Sequence, residues 1–557
     1  MKRISPVLVA GLCLTAPGLA LAGTPTIGSP DTVTADPTVP RPATTPCAVQ
    51  LFSHVAFADF TPKPFTYTPP AACPGPWAKV VLEGDFSVTA GRQFDRTAQI
   101  AVGHVNIYYG TTQEPSRTVS PTWHVERDLT DYTSLFQAAQ SGEVNLGNLV
   151  NSTFTGIIDG SARLLFYPPS ASAPAPWSAD LVLSLSTAPG GAALLDTGAS
   201  LLAPTLSLPT NIEGAYLDVI AQSQSSDEFW YACVPDDVAD ELFSCPGTSF
   251  REAEITVDGQ PAGVSPVYPW LYTGAIDPLL WRPIPGVQTL NFVPYRVDLT
   301  PFAGVLSNGQ PHQVGVRVFN ASHYFLVAAS LLLDLDPGTV QVTGEVTGNT
   351  LAAEPPVSIA ENLSTAPDGS VTGTVTTGSR RGFSISGYVE TSHGRVETTV
   401  RQELSFTNEQ DFVVADTQYV QNIRQTTRIT SGTETKAGPA VIHTERHFVY
   451  PLTLDISLLA NADGSLAQTT SVDQSFESET ARGSSGSPHM SRVSNSVVSA
   501  DTLLFDASGA VVGFQDRASS QTYESRSNEG DCYSRSIAAV DGLLTSLTDG
   551  AGCGNGH

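Results

Sequence analysis

After the first few dozen residues, almost every apolar stretch in this chain is short and alternates with polar residues. Ala101-Val102-Gly103-His104-Val105-Asn106-Ile107, Ala215-Tyr216-Leu217-Asp218-Val219-Ile220 and Gln313-Val314-Gly315-Val316-Arg317-Val318 are examples. A period of two sends successive side chains to opposite faces of a strand, so one face can be buried while the other meets solvent. Gly, Pro, Asn and Asp interrupt these stretches at the spacing of sandwich strands. Helical periodicity is scarce, and the clearest case predicts a short helix over Tyr132–Gln140. The predicted class is all-β, built as packed sandwiches or jelly rolls. With 557 residues the chain exceeds one core, which points to roughly two to four domains.

Composition shifts mark the expected boundaries. Met1-Lys2-Arg3, the apolar run Val7–Leu21 and the small residues Ala20-Leu21-Ala22 have the form of a secretory signal peptide over 1–22. The run is broken by Pro17 and Gly18 and is too short to span a bilayer comfortably. Residues 23–45 are rich in Thr, Pro and Asp and read as a flexible lead-in. A first jelly roll is expected over 46–188 and a second over 205–338, with the boundary in the soft stretch Thr187–Pro209. From 344 to 557 the chain becomes rich in Thr, Ser, Val and Gln, as for a β domain with one wide solvated sheet face.

The cysteines agree with export. Cys13 leaves with the signal, and Cys47, Cys73, Cys233, Cys245, Cys532 and Cys553 remain. Six cysteines allow fifteen pairings; their order favours three local pairs, each within its own neighbourhood. Disulfides suit an oxidising compartment, and the expected location is secreted or periplasmic. Acidic residues outnumber basic ones 54 to 27, for a net charge of -27. That balance argues against nucleic acid and against anionic membrane as partners, because both need a basic face.

Two motifs are loud and point elsewhere. Asp196-Thr197-Gly198 copies the loop of aspartic peptidases, but that chemistry needs two aspartates sharing a proton, and the chain has no second Asp-Thr/Ser-Gly. A loop turn is the plainer reading. His443-Thr444-Glu445-Arg446-His447 has zincin-like residues, yet the zinc helix needs Glu directly after the first His. A solvated strand face explains it better, and no metal is expected. Three quieter clusters combine acids with aromatics. They are Gly91-Arg92-Gln93-Phe94-Asp95-Arg96, Ser226-Asp227-Glu228-Phe229-Trp230-Tyr231 and Pro121-Thr122-Trp123-His124-Val125-Glu126-Arg127-Asp128. Paired carboxylates divide acid and base roles, and aromatic faces stack on sugar rings. Arg92 or Arg96 would hold an inward-facing Asp95 ionised.

These clusters occur in an order that resembles the peptide-N-glycosidase A family of glycoamidases, in its bacterial acidic form. The resemblance runs from about Pro46 to Gly554. It rests on Tyr67-Thr68-Pro69-Pro70, Val81-Leu82-Glu83, Gly91–Arg96, Val125-Glu126-Arg127-Asp128, Asp227–Tyr231, Phe250-Arg251-Glu252, Tyr272-Thr273-Gly274-Ala275 and Cys532-Tyr533-Ser534-Arg535. The family is similar, more distantly, to type F glycoamidases, which place the site between two jelly rolls and the main catalytic aspartate in Trp-Asp-Arg. Phe94-Asp95-Arg96 matches that sequence, so the resemblance implies a catalytic Asp95. The supporting glutamates fall near Asn148-Leu149 and Cys245–Arg251, where no acid stands, which leaves Glu228 or Glu83 to act in space. For substrate binding, Arg92, Trp123, Asn148, Asp227, Trp230 and Arg251 are the expected residues, with Trp123 and Trp230 stacking on sugar and Asn148 or Arg251 facing an oxyanion. The resemblance implies hydrolysis of the Asn–glycan amide of N-glycopeptides, no cofactor, tolerance of core α1,3-fucose and an acidic optimum. The C-terminal domain is a candidate for homodimerisation. The competing reading is a carbohydrate-binding, adhesin-like protein without catalysis.

Overall fold

A computed structural model of the protein describes residues 25–484 and 488–553. The expected signal peptide and Cys13 lie outside the described residues. Eight strands form the first unit: β1 (Cys47–Phe57), β2 (Lys63–Tyr67), β3 (Lys79–Val88), β4 (Thr97–Val102), β5 (Val105–Thr111), β6 (Thr122–Asp128), β7 (Gln140–Asn145) and β8 (Ile158–Tyr167). They pair as β1-β8-β3-β6 and β2-β7-β4-β5. Numbered one to eight, those two orders are the two sheets of a jelly roll. Leu82, Phe86, Ile100, Ile107, Val125 and Leu164 close its core. The predicted Tyr132–Gln140 helix is a shorter 3-10 segment, Thr130–Phe136, whose Tyr132, Leu135 and Phe136 fill the same core. Its apolar residues fall too close together for a full helical face.

The second unit repeats this topology with β9 (Leu181–Ser184), β10 (Ala192–Leu195), β11 (Thr205–Leu206), β12 (Ile212–Gln224), β13 (Glu252–Val257), β14 (Gln260–Pro266), β15 (Tyr295–Asp298), β16 (His312–Phe319) and β17 (Tyr324–Leu335). The orders are β10-β17-β12-β15 and β11-β16-β13-β14, again a jelly roll. Both β9 and β10 lie along β17, one after the other, as two halves of a single edge strand. The boundary therefore falls after Tyr167, not in the soft stretch Thr187–Pro209. That stretch contains a gap within an edge strand and the loop after it, which composition cannot tell from a linker.

One large antiparallel sheet makes up the rest: β18 (Thr343–Asn349), β19 (Val357–Thr365), β20 (Val371–Thr391), β21 (Gly394–Ala415), β22 (Gln418–Ala437), β23 (Ala440–Ala460), β24 (Leu466–Gly483), β25 (His489–Phe505), β26 (Val511–Ser527), β27 (Cys532–Val540) and β28 (Leu543–Asp549). β18 and β19 lie end to end along β20, and from β20 to β28 strand follows strand as a meander. One face packs on the second jelly roll. Phe406 meets Trp230 and Phe250, and Tyr450 and Phe476 meet Tyr268. That face is studded with amides as well as hydrocarbon. Asn408 donates to the carbonyl of Tyr231, Gln410 to Cys233, Gln421 to Ala232 and Gln474 to Pro269, at 2.7–2.9 Å. Loop carbonyls buried against a sheet face need donors, and long amide side chains supply them. The Gln-rich composition of these strands follows from that requirement.

Residues 25–45 are not a free lead-in. They form a strap with specific bonds to all three units: Gly28 N–H to Leu544 O, Val33 N–H to Pro283 O, Ala35 N–H to Gln521 Oε1, and Val39 N–H to Glu126 Oε2. Val33 and Ala35 belong to the main core. The strap makes no strand of its own, so nothing periodic in its sequence announces it. The disulfides are Cys47–Cys73, Cys233–Cys245 and Cys532–Cys553, with Cα separations of 6.1, 4.5 and 5.8 Å. Among the described residues no helix is long and apolar enough to cross a membrane.

Candidate active site

The two jelly rolls meet along β5. Tyr108 Oη donates to Leu290 O at 2.6 Å, Thr111 N–H to Thr289 O, and Thr273 Oγ1 to Thr112 O at 2.7 Å. Asp95 stands at the open end of this seam, in the loop between β3 and β4. Its neighbours hold the loop shape. Gln93 donates to Leu149 O and Gly156 O, while Arg92 O accepts from Thr155 N–H and Gly156 N–H. Gly91 adopts φ 153, and a Cβ there would strike Thr155.

Two more carboxylates converge on Asp95. Glu114, three residues beyond β5, accepts Asp95 N–H on Oε1 at 3.3 Å and Arg282 Nη2 on Oε2 at 3.0 Å. Glu228 comes from the turn after β12, across the seam. Burial raises all three. Asp95 is pushed up to about 6, against the opposing influence of its own backbone N–H, Arg96 and the Gly274 backbone. Glu114 rises to about 7 through burial and the Asp95 charge, with Arg282 opposing. Burial and then Asp95 take Glu228 to about 7 as well. The expectation that arginine would keep Asp95 strongly acidic is therefore corrected: removal from water outweighs Arg96. Gly274 closes the cluster from the second jelly roll. A Cβ there would collide with both Asp95 Oδ1 and Glu114 Oε1, so only glycine lets this backbone approach.

Several predicted residues occupy other roles. Glu83 lies on the outer face of its sheet, where it pairs with Arg41 at 2.7 Å and Arg163 at 2.6 Å. The whole first core separates it from Asp95, because the neighbouring positions Leu82 and Phe86 face inward. Trp123 is buried and stacked on Phe86 at 5.6 Å, and Trp230 is buried against Tyr231 and Phe406, so neither ring is free to stack on sugar. Asp227 and Arg251 form a fully buried ion pair at 2.8 Å. Asp227 also accepts Ser322 N–H and His323 N–H, and Arg251 donates to Gly247 O, Thr248 O and Phe250 O, so this pair anchors loops. Asn148 is buried and donates to Phe57 O and Gly156 O; its Oδ1 faces Arg96 Nε at 3.4 Å. It orients Arg96 from behind. Arg92 is exposed over the rings of Phe94 and Phe154, which lie 5.2 Å apart at the rim.

Glu114 was absent from the sequence-based candidates. It stands in Thr111-Thr112-Gln113-Glu114-Pro115, which looks like a polar loop, yet the first four residues are all buried. The two loud motifs take their plainer forms. Asp196 lies in an exposed turn closed by Ser200 N–H on Thr197 O. His447 and Glu445 pair at 3.1 Å on the solvent face of β23.

The family model described as peptide N-acetyl-β-D-glucosaminyl asparaginase amidase A matches residues 35–350, and one for the C-terminal domain of the same family matches 374–452. A peptide-N4-(N-acetyl-β-glucosaminyl)asparagine amidase A from Prunus dulcis is 30% identical over 479 residues, covering 81% of this chain and 82% of that protein. Among solved structures, the glycosylasparaginase PNGase F of Flavobacterium meningosepticum matches with 13% identity and a TM-score of 0.35, over 52% of this chain and 96% of that one. PNGF-II matches with 11% identity and a TM-score of 0.36, over 52% of this chain and 65% of that one.

Proposed function

We infer the activity from two premises: the chain belongs to the peptide N-acetyl-β-D-glucosaminyl asparaginase amidase A family, and three proton-hungry carboxylates meet where its jelly rolls join. The protein is a peptide-N4-(N-acetyl-β-glucosaminyl)asparagine amidase, and its substrate is an N-glycopeptide. The observation that carries the mechanism is the meeting of Asp95, from the first jelly roll, with Glu228, from the second, both held above the ordinary carboxylate range by burial. Asp95 lies beside Arg96, which favours its ionised form, whereas the Asp95 charge favours the protonated form of Glu228, so Asp95 is the base and Glu228 the acid.

Asp95 accepts a proton from water as its oxygen attacks the side-chain carbonyl carbon of the glycosylated Asn. Arg96, held by Gln93 Oε1 at 2.7 Å and by Asn148, faces the oxyanion that develops. Glu228 donates its proton to the amide nitrogen as the C–N bond breaks. The products are an Asp-containing peptide and a glycosylamine, which loses ammonia in water. Glu114 holds Asp95 in place by accepting its backbone N–H, and the Asp95 charge in turn keeps Glu114 protonated. The rate follows a bell whose limbs belong to the coupled cluster and lie above the ordinary carboxylate range. This supports a mildly acidic working range, and the three disulfides support export. The resemblance to peptide-N-glycosidase A proteins further supports tolerance of core α1,3-linked fucose.

The test is mass spectrometry of a defined N-glycopeptide after incubation, with and without core α1,3-fucose. Release of glycan with Asp left in place of Asn is expected. An unchanged peptide mass would leave a carbohydrate-binding role instead, and release that leaves a sugar on Asn would mean glycosidic cleavage.

A further inference from the structure

The turn that carries Arg282 is held at five successive carbonyls. Arg517 on β26 donates Nε to Leu279 O at 2.9 Å and Nη2 to Arg282 O at 2.7 Å. Ser499 on β25 donates to Leu280 O at 2.7 Å. Gln113, next to Glu114, donates to Trp281 O at 3.0 Å, and Val33 of the strap donates N–H to Pro283 O. Three of these five bonds come from the C-terminal sheet. A run of backbone acceptors satisfied one by one fixes a loop far more tightly than one anchor does, since each bond constrains a different peptide plane.

Beneath the turn, Asp277 and Asp501 face each other across the same boundary, both fully buried. Asp277 Oδ2 and both carboxyl oxygens of Asp501 meet no donor among the described residues, and burial holds both groups above the ordinary aspartate range. Asp277 Oδ1 accepts Leu279 N–H at 2.8 Å. The charged groups facing this pair are Arg517 and Arg282; Arg517 faces Asp541 as well. Arg282 thus stands between two acid groups, Glu114 on one side and Asp277–Asp501 on the other.

We propose that the C-terminal sheet is part of the active site: Arg517 and Ser499, with the Asp277–Asp501 pair, are positioning residues that hold Arg282 on Glu114. Arg517 does this in two ways. It fixes the turn by two carbonyls, and its own charge answers the aspartate pair so that Arg282 is left to face Glu114. None of these residues touches the reacting atoms. The inference rests on the reading of Asp95, Glu114 and Glu228 as the reacting cluster, and it assigns to the large sheet a role in catalysis.

The test compares Arg517→Gln, Arg517→Lys and Ser499→Ala with a control, Arg535→Gln, whose side chain pairs with Asp549 within the sheet at 2.6 Å. The full chain is assayed on an N-glycopeptide for kcat, KM and pH profile, with Tm measured in parallel. Around Glu114 the charged groups are Asp95, Arg96 and Arg282, so a displaced Arg282 leaves Glu114 harder to ionise. In Arg517→Gln, kcat falls about tenfold or more with KM within about twofold, as expected for a misplaced group. The limbs of its pH profile, which belong to the coupled cluster, move by about half a unit or more. Arg517→Lys recovers part of both, and Ser499→Ala shows the same changes at smaller size. Arg535→Gln lowers Tm at most, with no change in profile. The inference is overturned if Arg517→Gln and Ser499→Ala keep the wild-type kcat and limbs while losing only Tm. Should Arg517→Gln fail to fold, Ser499→Ala decides alone, because it removes a single bond. Absence of Asn-to-Asp conversion by the wild type would instead overturn the amidase reading itself.

Discussion

The first jelly roll contributes to two acid clusters that use the same residue types and behave in opposite ways. On the outer face of β3 and β6, Glu83 and Glu126 are buried but answered: Arg41 bridges both, Arg163 takes Glu83, and His124 takes Glu126. Burial pulls Glu126 up, yet hydrogen bonds from His124, Arg41 and the Val39 N–H bring it down to about 2. At the seam, Asp95, Glu114 and Glu228 have fewer cations than carboxylates, and burial carries them up instead. A buried acid whose cations and hydrogen bonds outweigh its burial, as Glu126's do, is a brace. Acids left short of cations are held ready to exchange protons, and their place where the two jelly rolls join supports the proposed role as the reacting group.

Substitutions separate the two clusters, beginning with the largest effect. Asp95→Asn lowers deglycosylation of a glycopeptide by about a thousandfold, within the range for a lost general base, and leaves Tm at neutral pH unchanged or higher. Near-wild-type turnover would mean that the seam cluster is not the site. Glu228→Gln costs about a hundredfold and removes one limb of the pH profile, as expected for loss of the proton donor. Glu83→Gln does the reverse: it leaves an uncompensated arginine and lowers unfolding free energy by about 2–3 kcal/mol in denaturant, with kcat/KM within about twofold. If activity vanished in a folded Glu83→Gln protein, the division into brace and site would fail.

A smaller effect distinguishes the clusters by sign. The seam acids bind protons more tightly folded than unfolded, so their stability is present at acid pH and lost as pH rises from about 4.5 through 7. Glu126 binds its proton less tightly when folded, so its stability is present above the ordinary 4.5 and lost as pH falls toward about 2. Melting curves across pH therefore flatten on the neutral side in Glu114→Gln and on the acid side in Glu126→Gln. The smallest change belongs to Trp123→Phe, which leaves KM within about twofold because the indole is packed on Phe86 and never meets the substrate.

The fold class was legible because alternation is a local property, and Asp95 entered as a candidate because the resemblance rests there on a contiguous motif. Trp123, Trp230, Asp227 and Arg251 were misassigned for a common reason: a short acid–aromatic cluster looks the same whether it faces a cleft or a core. Only the long-range partners, such as Phe406 for Trp230, separate the two. Glu114 was missed because its distinguishing feature is an approach by Gly274, 160 positions away, which no local pattern encodes. Arg517 lay further off still, in a strand whose sequence shows only a solvated sheet.

The strap sets an order of events on folding. Ala35 is bonded to Gln521 across a sequence separation of 486, so the strap cannot settle fully until β26 exists. Until then Pro283 lacks its Val33 donor and the turn beneath the site is unfinished. Closing so long a loop costs little extra free energy but delays the last step. A chain clipped before β26 would lack both the partner of Ala35 and the Arg517 side chain that holds the carbonyls of Leu279 and Arg282.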